Sequence, residues 1–433
     1  MNPTRLKKPI LLFCALFFAL LVCIFTSDYS RLLTSIELDT YQYPTKLHHT
    51  VLNPILEELN ITDIENDLRT LIEDLPSDRY FKSENGYAAG MHIKETLRSL
   101  VEGIKSETVR SMFEVVEFNH PWRQPSILLK LRAPGNARNK AIVIGCHIDS
   151  INMSLQENAP GVDDNLSGIV IVLQTIKQVI LAIENRGLLF KNDIEFHFYA
   201  AEEMGSIGST QLFHQYRQEN REIVAMFQQD MTGYTMKTLD AGEKEHFGLI
   251  TDYTSEGLMR FTKLIIDNYC SIPYRETQCG KICSDHISGL MYGYPSTYVL
   301  ESALEYSNPF IHTDKDTIEL IDFNHMKEHL KLTLSLAVEL AVADNLEIVH
   351  FSHGFRGDIV AFRYIDFLIL LMMHHTKRFI YSVILFAASA GALFNIYLEV
   401  KHVPLVPPTV ETVGPNYVST SKASVTKHQR KRK

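Results

Sequence analysis

The 433-residue sequence has few cysteines, no basic stripe and no internal repeats. Six cysteines are too few for a disulfide-rich scaffold, and two of them, Cys14 and Cys23, lie in the first apolar segment. No basic stripe appears outside the last residues, KHQRKRK, and the formal net charge is −9, so we expect no nucleic-acid partner. With 45% hydrophobic and 21% charged residues, the chain is globular and long enough to bury one large core.

The amino-terminal segment predicts entry into the secretory pathway. Arg5, Lys7 and Lys8 precede an uncharged stretch at 10–25, which is the layout of a secretory signal or a signal anchor. The stretch is short for a membrane span, but it lacks an A-x-A-like cleavage site and ends in bulky residues, which favours an uncleaved anchor. A cleaved signal peptide is the alternative.

A second apolar stretch, Phe379–Leu398, is 20 residues long and carries only Asn395 as a strongly polar group. As a helix it would span about 30 Å, so we predict a membrane helix here. A buried core helix is the alternative, although nothing follows the stretch that could cover it. By the positive-inside rule, the region between the two apolar segments would lie in the lumen of the secretory pathway or outside the cell. The protein would instead be secreted if the signal is cleaved and the second stretch does not span.

The region between these segments alternates predicted helices and strands. Helical spacing of apolar residues recurs within 51–102, and short strands are predicted at 115–118 and 126–131 as antiparallel additions at the sheet edge. A strong helix at 167–185 leads into a strand at 194–201. This alternation predicts one doubly wound α/β domain, with a mostly parallel sheet and helices on both faces. The predicted organisation is a signal anchor or signal peptide at 1–26, a stalk or pro-segment at 27–48, a catalytic domain at 49–346, a linker with a short apolar segment at 347–378, a transmembrane helix at 379–398 and a disordered basic tail at 399–433.

Polar side chains that could bind metal follow the predicted strands. The apolar run at 141–145 stops just before His147, and an acidic pair follows in a turn. Two later strands and a late polar loop repeat the pattern. Open α/β sheets place their active sites at the carboxyl ends of strands, so we expect these side chains to meet. The candidate ligands are His147, Asp164, Glu203, Asp230 and His312, and Glu202 stands directly beside Glu203.

Two imidazoles and three carboxylates suit a pair of zinc ions, provided that one carboxylate bridges them. Asp164 is the natural bridge because it sits in a turn flanked by glycines. Two ions about 3.5 to 4 Å apart can activate a water and polarise a carbonyl. Of the adjacent pair Glu202 and Glu203, one could bind metal while the other accepts the proton of the water. Asp149 could accept the remaining ring N–H of His147.

Seven motifs carry a resemblance to the M28 family of zinc aminopeptidases, in the same order and with the same spacing. They are GCHIDS, APGVDDNLSG, AAEEMGSIGS, QQDMTGY, CGKICSDH, GYPS and NPFIHTDKDT. The similarity runs from about 53 to 343, and the chain looks most like fungal leucine aminopeptidases of the secretory route. The resemblance implies one zinc site made of His147, Asp164 and Asp230, and a second made of Asp164, Glu203 and His312. It also implies that Glu202 is the general base.

The resemblance further implies a disulfide between Cys279 and Cys283, for which a pair of free thiols is the alternative. The sequence departs from the family at Lys281, because relatives commonly have tyrosine inside this loop. A second departure is the carboxyl-terminal extension from about 347, which the secreted relatives lack.

Three N-glycosylation sequons are present, at Asn60, Asn152 and Asn165. Asn60 is the best candidate, because a glycan on Asn165 would block the proposed metal site.

The predicted function is therefore a dizinc aminopeptidase that acts on peptides with a free amino terminus. Two alternatives share the fold. A glutaminyl cyclase-like transferase would use one zinc, and a non-catalytic membrane receptor built on a peptidase-like domain would have lost ligands. The complete ligand set favours the aminopeptidase.

Overall fold

The computed structural model describes residues 41–134, 140–154, 158–344 and 346–348. The predicted amino-terminal signal segment, the predicted membrane helix Phe379–Leu398 and the basic tail lie outside these residues.

Eight strands form a single mixed sheet in the order β1-β2-β4-β3-β5-β8-β6-β7. The strands are β1 Phe113–Phe118, β2 Ser126–Leu131, β3 Lys140–His147, β4 Asp193–Tyr199, β5 Glu222–Gln229, β6 Phe247–Ile250, β7 Tyr274–Thr277 and β8 Ser296–Leu300. The central strands β4, β3, β5 and β8 are parallel. The β6–β7 pair at one edge is also parallel, whereas the β1–β2, β2–β4 and β8–β6 pairs are antiparallel, so the sheet is mixed, with four parallel and three antiparallel strand pairs. The predicted antiparallel pair β1–β2 does lie at one edge.

Helices cover both faces of this sheet. They are α1 His49–Glu57, α2 Ile61–Asp74, α3 Glu84–Glu102, α4 Glu107–Arg110, α5 Gly168–Arg186, α6 Ile207–Gln218, α7 Met236–Asp240, α8 Glu256–Tyr269, α9 His286–Met291 and α10 Phe323–Val342. Alternate residues of β3 show the two layers, because side chains of a strand point to opposite faces in turn. Ile142 and Ile144 join the large core formed with α2, α5, α8 and α10, whereas Ala141 and Val143 pack with α6.

Helix α5 is the centre of the larger core. Among the described residues, one helical stretch, Val162–Arg186, is long and apolar enough to cross a membrane by length and composition. However, 83% of its most apolar window is buried within the fold, as expected of a core helix. The helix ends at Gly187, whose φ of 62° is the left-handed conformation that commonly terminates helices.

Candidate metal centre

The parallel centre of the sheet brings the predicted ligands to one edge. β3 ends at His147 and lies between β4 and β5, so the segments that follow these three strands emerge side by side. Glu203 comes four residues after the end of β4, and Asp230 directly follows β5. Asp164 lies in the turn before α5, and His312 lies in the loop between β8 and α10.

These side chains form two groups that share Asp164. His147, Asp164 and Asp230 make one group, and Asp164, Glu203 and His312 make the other; within each, the ligand atoms lie within 4.8 Å of one another. Asp164 Oδ1 is 3.1 Å from His147 Nε2, while Asp164 Oδ2 is 3.1 Å from His312 Nε2. In the second group, His312 Nε2 also lies 2.8 Å from Glu203 Oε2. Each oxygen of Asp164 therefore faces a different group.

Two buried oxygens of this centre make no hydrogen bond, namely Asp230 Oδ1, which lies 3.4 Å from His147 Nε2, and Glu203 Oε1. An unsatisfied carboxylate oxygen in a protein interior is costly, and a bound cation would satisfy it. Two imidazoles with three carboxylates also form a donor set that zinc accepts. The residues present therefore fit a metal centre.

The ionisation of the centre reflects the crowding of carboxylates. Burial and the neighbouring charge of Asp164 raise the pKa of Glu203 to about 8. Hydrogen bonds to Asp164 and Glu203 raise the pKa of His312 to about 11. Burial alone would lower the pKa of His147, but Asp230 and its other acidic neighbours outweigh burial and raise it. The protonated imidazoles thus offset carboxylate charge, and metal cations would take over that role.

Asp149 contacts the centre in a different way from the one predicted. Its carboxylate accepts the backbone N–H groups of Glu202 and Glu203, at 2.9 and 3.2 Å. The Nδ1 atom of His147 lies 3.1 Å from the backbone carbonyl oxygen of Asp149 and 3.6 Å from its carboxylate. Asp149 therefore holds the turn after β4, and its main chain orients the imidazole.

The turn that carries Asp164 is held by other buried polar groups. The carboxylate of Asp316 accepts the backbone N–H groups of Asp163 and Asp164, both at 3.0 Å. The side chain of Asp163 points away from Asp164 and accepts from the backbone N–H of Gly233 and the amide of Asn308. The peptide bond between Asp164 and Asn165 is cis.

Two residues that the sequence did not single out support Asp230. Ser284 Oγ donates to Asp230 Oδ2 at 2.5 Å, and Tyr298 Oη donates to the Asp230 carbonyl at 3.0 Å. Ser284 stands inside the CGKICSDH motif, so that motif could have identified it. Tyr298 lies in an apolar strand and carries no such signal.

An enclosed apolar cluster adjoins the centre. Cys279 and Cys283 form a disulfide with their Cα atoms 6.3 Å apart, while Lys281 between them is exposed. The disulfide packs on this cluster, whose members are Met231, Ile250, Tyr298, Leu300 and Ile311. Met231 directly follows Asp230, and Ile311 directly precedes His312. The cluster is therefore adjacent in sequence to one residue of each metal-binding group.

The three sequons differ in exposure. Asn60 is exposed at the start of α2, where its side chain accepts the backbone N–H of Thr62. Asn165 is fully buried and donates its amide to the Gln229 carbonyl, and Asn152 is also buried. In the folded domain, only Asn60 presents its side chain to solvent.

Comparison with known proteins finds similar chains over this same region. The sequence matches the model of Peptidase family M28 over residues 127–337. It is 44% identical over 305 residues to Leucine aminopeptidase 1 of Blastomyces gilchristii (strain SLH14081), covering 70% of this chain and 77% of that protein. With Leucine aminopeptidase 1 of Uncinocarpus reesii (strain UAMH 1704) the identity is 41% over 321 residues, covering 73% and 80%. Among solved structures, the Legionella pneumophila LapA aminopeptidase superposes with a TM-score of 0.62 at 26% identity, covering 71% of this chain and 75% of that one.

Proposed function

The chain belongs to peptidase family M28 and is a metallo-aminopeptidase, and we propose that it removes the amino-terminal residue of peptides at a two-zinc site. The observation that carries the two-metal proposal is the orientation of Asp164. Its two carboxylate oxygens face separate groups of ligands, which is the arrangement of a bridging carboxylate.

In this proposal His147 and Asp230 would hold one zinc, Glu203 and His312 would hold the other, and Asp164 would contribute to both sites. When bound, two zinc ions activate a water and polarise the substrate carbonyl. The protein itself holds the ligand side chains in place through hydrogen bonds. Ser284 and Tyr298 hold Asp230, and the main chain of Asp149 orients His147.

Glu202 is the proposed general base. It belongs to neither group of ligands, although its backbone N–H shares the carboxylate of Asp149 with that of Glu203. Glu202 is half-buried, and its Oε1 accepts a hydrogen bond of 3.3 Å from Ser206. Glu202 can therefore take a proton from the attacking water and pass it to the leaving amine.

We propose that the apolar cluster beside Asp230 and His312 forms a wall of the site that receives the first side chain of the substrate. Its members are aliphatic, thioether and aromatic groups, so it favours an apolar residue such as leucine. The similar fungal proteins carry the name leucine aminopeptidase, which supports the same preference.

The test compares peptides that differ only at the amino terminus. The purified protein, with its zinc content measured on the same sample, is given a leucyl peptide with a free amine and its acetylated counterpart. The free peptide should lose its first residue, and the acetylated one should remain intact, because the amine positions the first peptide bond. Comparable cleavage of the blocked peptide would make the enzyme an endopeptidase, and cyclisation of an amino-terminal glutamine without peptide cleavage would favour the cyclase alternative.

The protein's placement in the cell is a second part of the proposal. We propose that residues 49–346 form a catalytic domain in the lumen of the secretory pathway, anchored by segments at 10–25 and 379–398. The Cys279–Cys283 disulfide and the exposed sequon at Asn60 support this oxidising compartment. Protease treatment of sealed microsomes should remove a tag at residue 433 and spare the catalytic domain. A protected tag would mean that 379–398 does not span.

A further inference from the structure

Arg79, in the segment between α2 and α3, is buried beside the metal centre. Arg79 is only 1% exposed, although arginine is seldom buried without a partner. It lies outside the residues that match the family model, which begin at 127. A buried guanidinium from a segment before the residues that match the family model therefore approaches the centre.

The three hydrogen bonds of the guanidinium join the two ends of one loop. Arg79 Nε donates to the Ile148 carbonyl at 2.9 Å, directly after His147. Its Nη1 and Nη2 donate to the carbonyls of Pro160 and Gly161 at 2.6 and 3.0 Å, just before the turn that carries Asp164. The loop between those ends connects His147 to Asp164, which belong to the same group of ligands.

Other contacts strengthen the same connection. The backbone N–H of Arg79 donates to Ser150 Oγ at 3.2 Å, and that hydroxyl donates to the Ala159 carbonyl at 2.8 Å. Gly161 has a φ of 51°, and a Cβ there would lie 2.7 Å from Arg79 Nη2. The absence of a side chain at Gly161 therefore leaves room for the guanidinium to approach the backbone of the turn.

The charge of Arg79 suits this position. Burial lowers its pKa to about 10, and Asp316, Asp149, Asp164 and Glu203 act against that lowering. Asp316 accepts the backbone N–H groups of Asp163 and Asp164. Arg79 donates to the carbonyls that come just before them in the same turn. The turn is therefore held from two sides, by the guanidinium of Arg79 and by the carboxyl oxygens of Asp316.

We propose that Arg79 is a positioning residue that sets the distance between His147 and Asp164, and thereby the zinc affinity of the group formed with Asp230. The inference rests on the proposed two-zinc site. The three backbone carbonyls are bound by three nitrogens of one planar guanidinium. Lysine has a single mobile ammonium group and should not replace Arg79 in this role. Residues that orient metal ligands contribute about 10- to 100-fold to metal affinity.

The test measures zinc binding to metal-free protein by competition with a fluorescent zinc chelator. Arg79→Lys should weaken one of the two zinc sites by about 10- to 100-fold. Ser150→Ala, which removes the second link across the loop, should give a smaller loss at the same site. Arg221→Lys is the matched control, because Arg221 is also buried but binds carboxylates near the amino end of β4.

Circular dichroism and thermal midpoints of the metal-free proteins show whether each variant is folded. If Arg79→Lys binds zinc like the wild type, or if Arg221→Lys loses as much zinc affinity as Arg79→Lys does, the inference is wrong. If Arg79→Lys does not fold, Ser150→Ala decides, and unchanged zinc affinity in that variant overturns the inference. Failure of the wild type to bind zinc would instead contradict the proposed function.

Discussion

The two ends of β4 bury acidic residues in opposite electrostatic surroundings. At the amino end, Glu195 is fully buried with Arg221 at 2.7 Å and His197 at 3.1 Å, and Tyr216 Oη also donates to it. Burial alone would raise its pKa, but His197 and the nearby cations lower it below the usual range. Beyond the carboxyl end, burial raises the pKa of both Glu202 and Glu203, and neighbouring carboxylates raise it further.

This difference separates a structural network from a functional one. The amino end is nearly balanced, because Asp193 and Glu195 face Arg221, Arg132 and Lys130. The carboxyl end holds an excess of acids that Arg79 and two histidines only partly offset. An excess of buried charge of one sign needs a partner that the chain does not supply, and metal cations are such a partner.

The largest effect should follow from removing the shared carboxylate at the unbalanced end. Asp164→Ala should lose both zinc ions and all measurable activity, because each group of ligands depends on this residue. Zinc per chain, measured after gel filtration, checks this. Asp193→Ala removes a buried acid from the balanced end and should keep both ions. Two tightly bound ions in Asp164→Ala would end the bridging assignment.

Glu202→Gln should lower turnover by about 10²- to 10⁴-fold while leaving the zinc content unchanged. The amide keeps the shape of the side chain but cannot accept the proton of the attacking water. Steady-state kinetics and metal analysis on one sample measure both quantities. Glu195→Gln, within β4 itself, is the matched control, and its activity per folded molecule should equal that of the wild type. Loss of zinc in Glu202→Gln would make Glu202 a ligand.

Local sequence could predict the positions of the ligands but not the electrostatic difference between the two ends of β4. The ligands follow apolar runs, and adjacent parallel strands bring such positions together. Glu195 and His197 sit inside an apolar run too, yet their partners Tyr216 and Arg221 come from a later helix and loop.

The same reason accounts for the other differences from the sequence-based expectations. Strand order is set by long-range pairing, so the sequence predicted antiparallel strands at the edge of the sheet but not that β2 would pair with β4. The contact of the Asp149 carboxylate with the turn after β4 depends on the same packing. Arg79 comes from a short polar segment, and nothing near it in the sequence indicates burial.

At the balanced end of β4, Glu195→Gln should destabilise the fold by roughly 3 kcal/mol, because Arg221 would lose a buried partner of opposite charge. Urea unfolding at pH 7 measures the loss, and zinc content should stay at the wild-type value. The lowered pKa of Glu195 means that its contribution is present above the unfolded pKa and fades as the pH falls. The difference between the two proteins should therefore shrink in acid, and a difference independent of pH would contradict the charge argument.

The smallest effect concerns a histidine near the metal centre that has no partner. His286 is fully buried beside Tyr298, both of its ring nitrogens lack a hydrogen bond, and burial lowers its pKa to about 3. Only the unfolded chain then gains this proton between about pH 6.5 and 3, so the stability that His286 contributes is lost as the pH falls through that range. At pH 5 the loss relative to pH 7 is about 2 kcal/mol. In His286→Phe the fall in the free energy of unfolding between pH 7 and pH 5 should be smaller by that amount, as measured by urea titration at both pH values. An equal fall in both proteins would mean that His286 takes up its proton in the folded state, and its surroundings would then resemble those of His147, whose pKa nearby carboxylates raise.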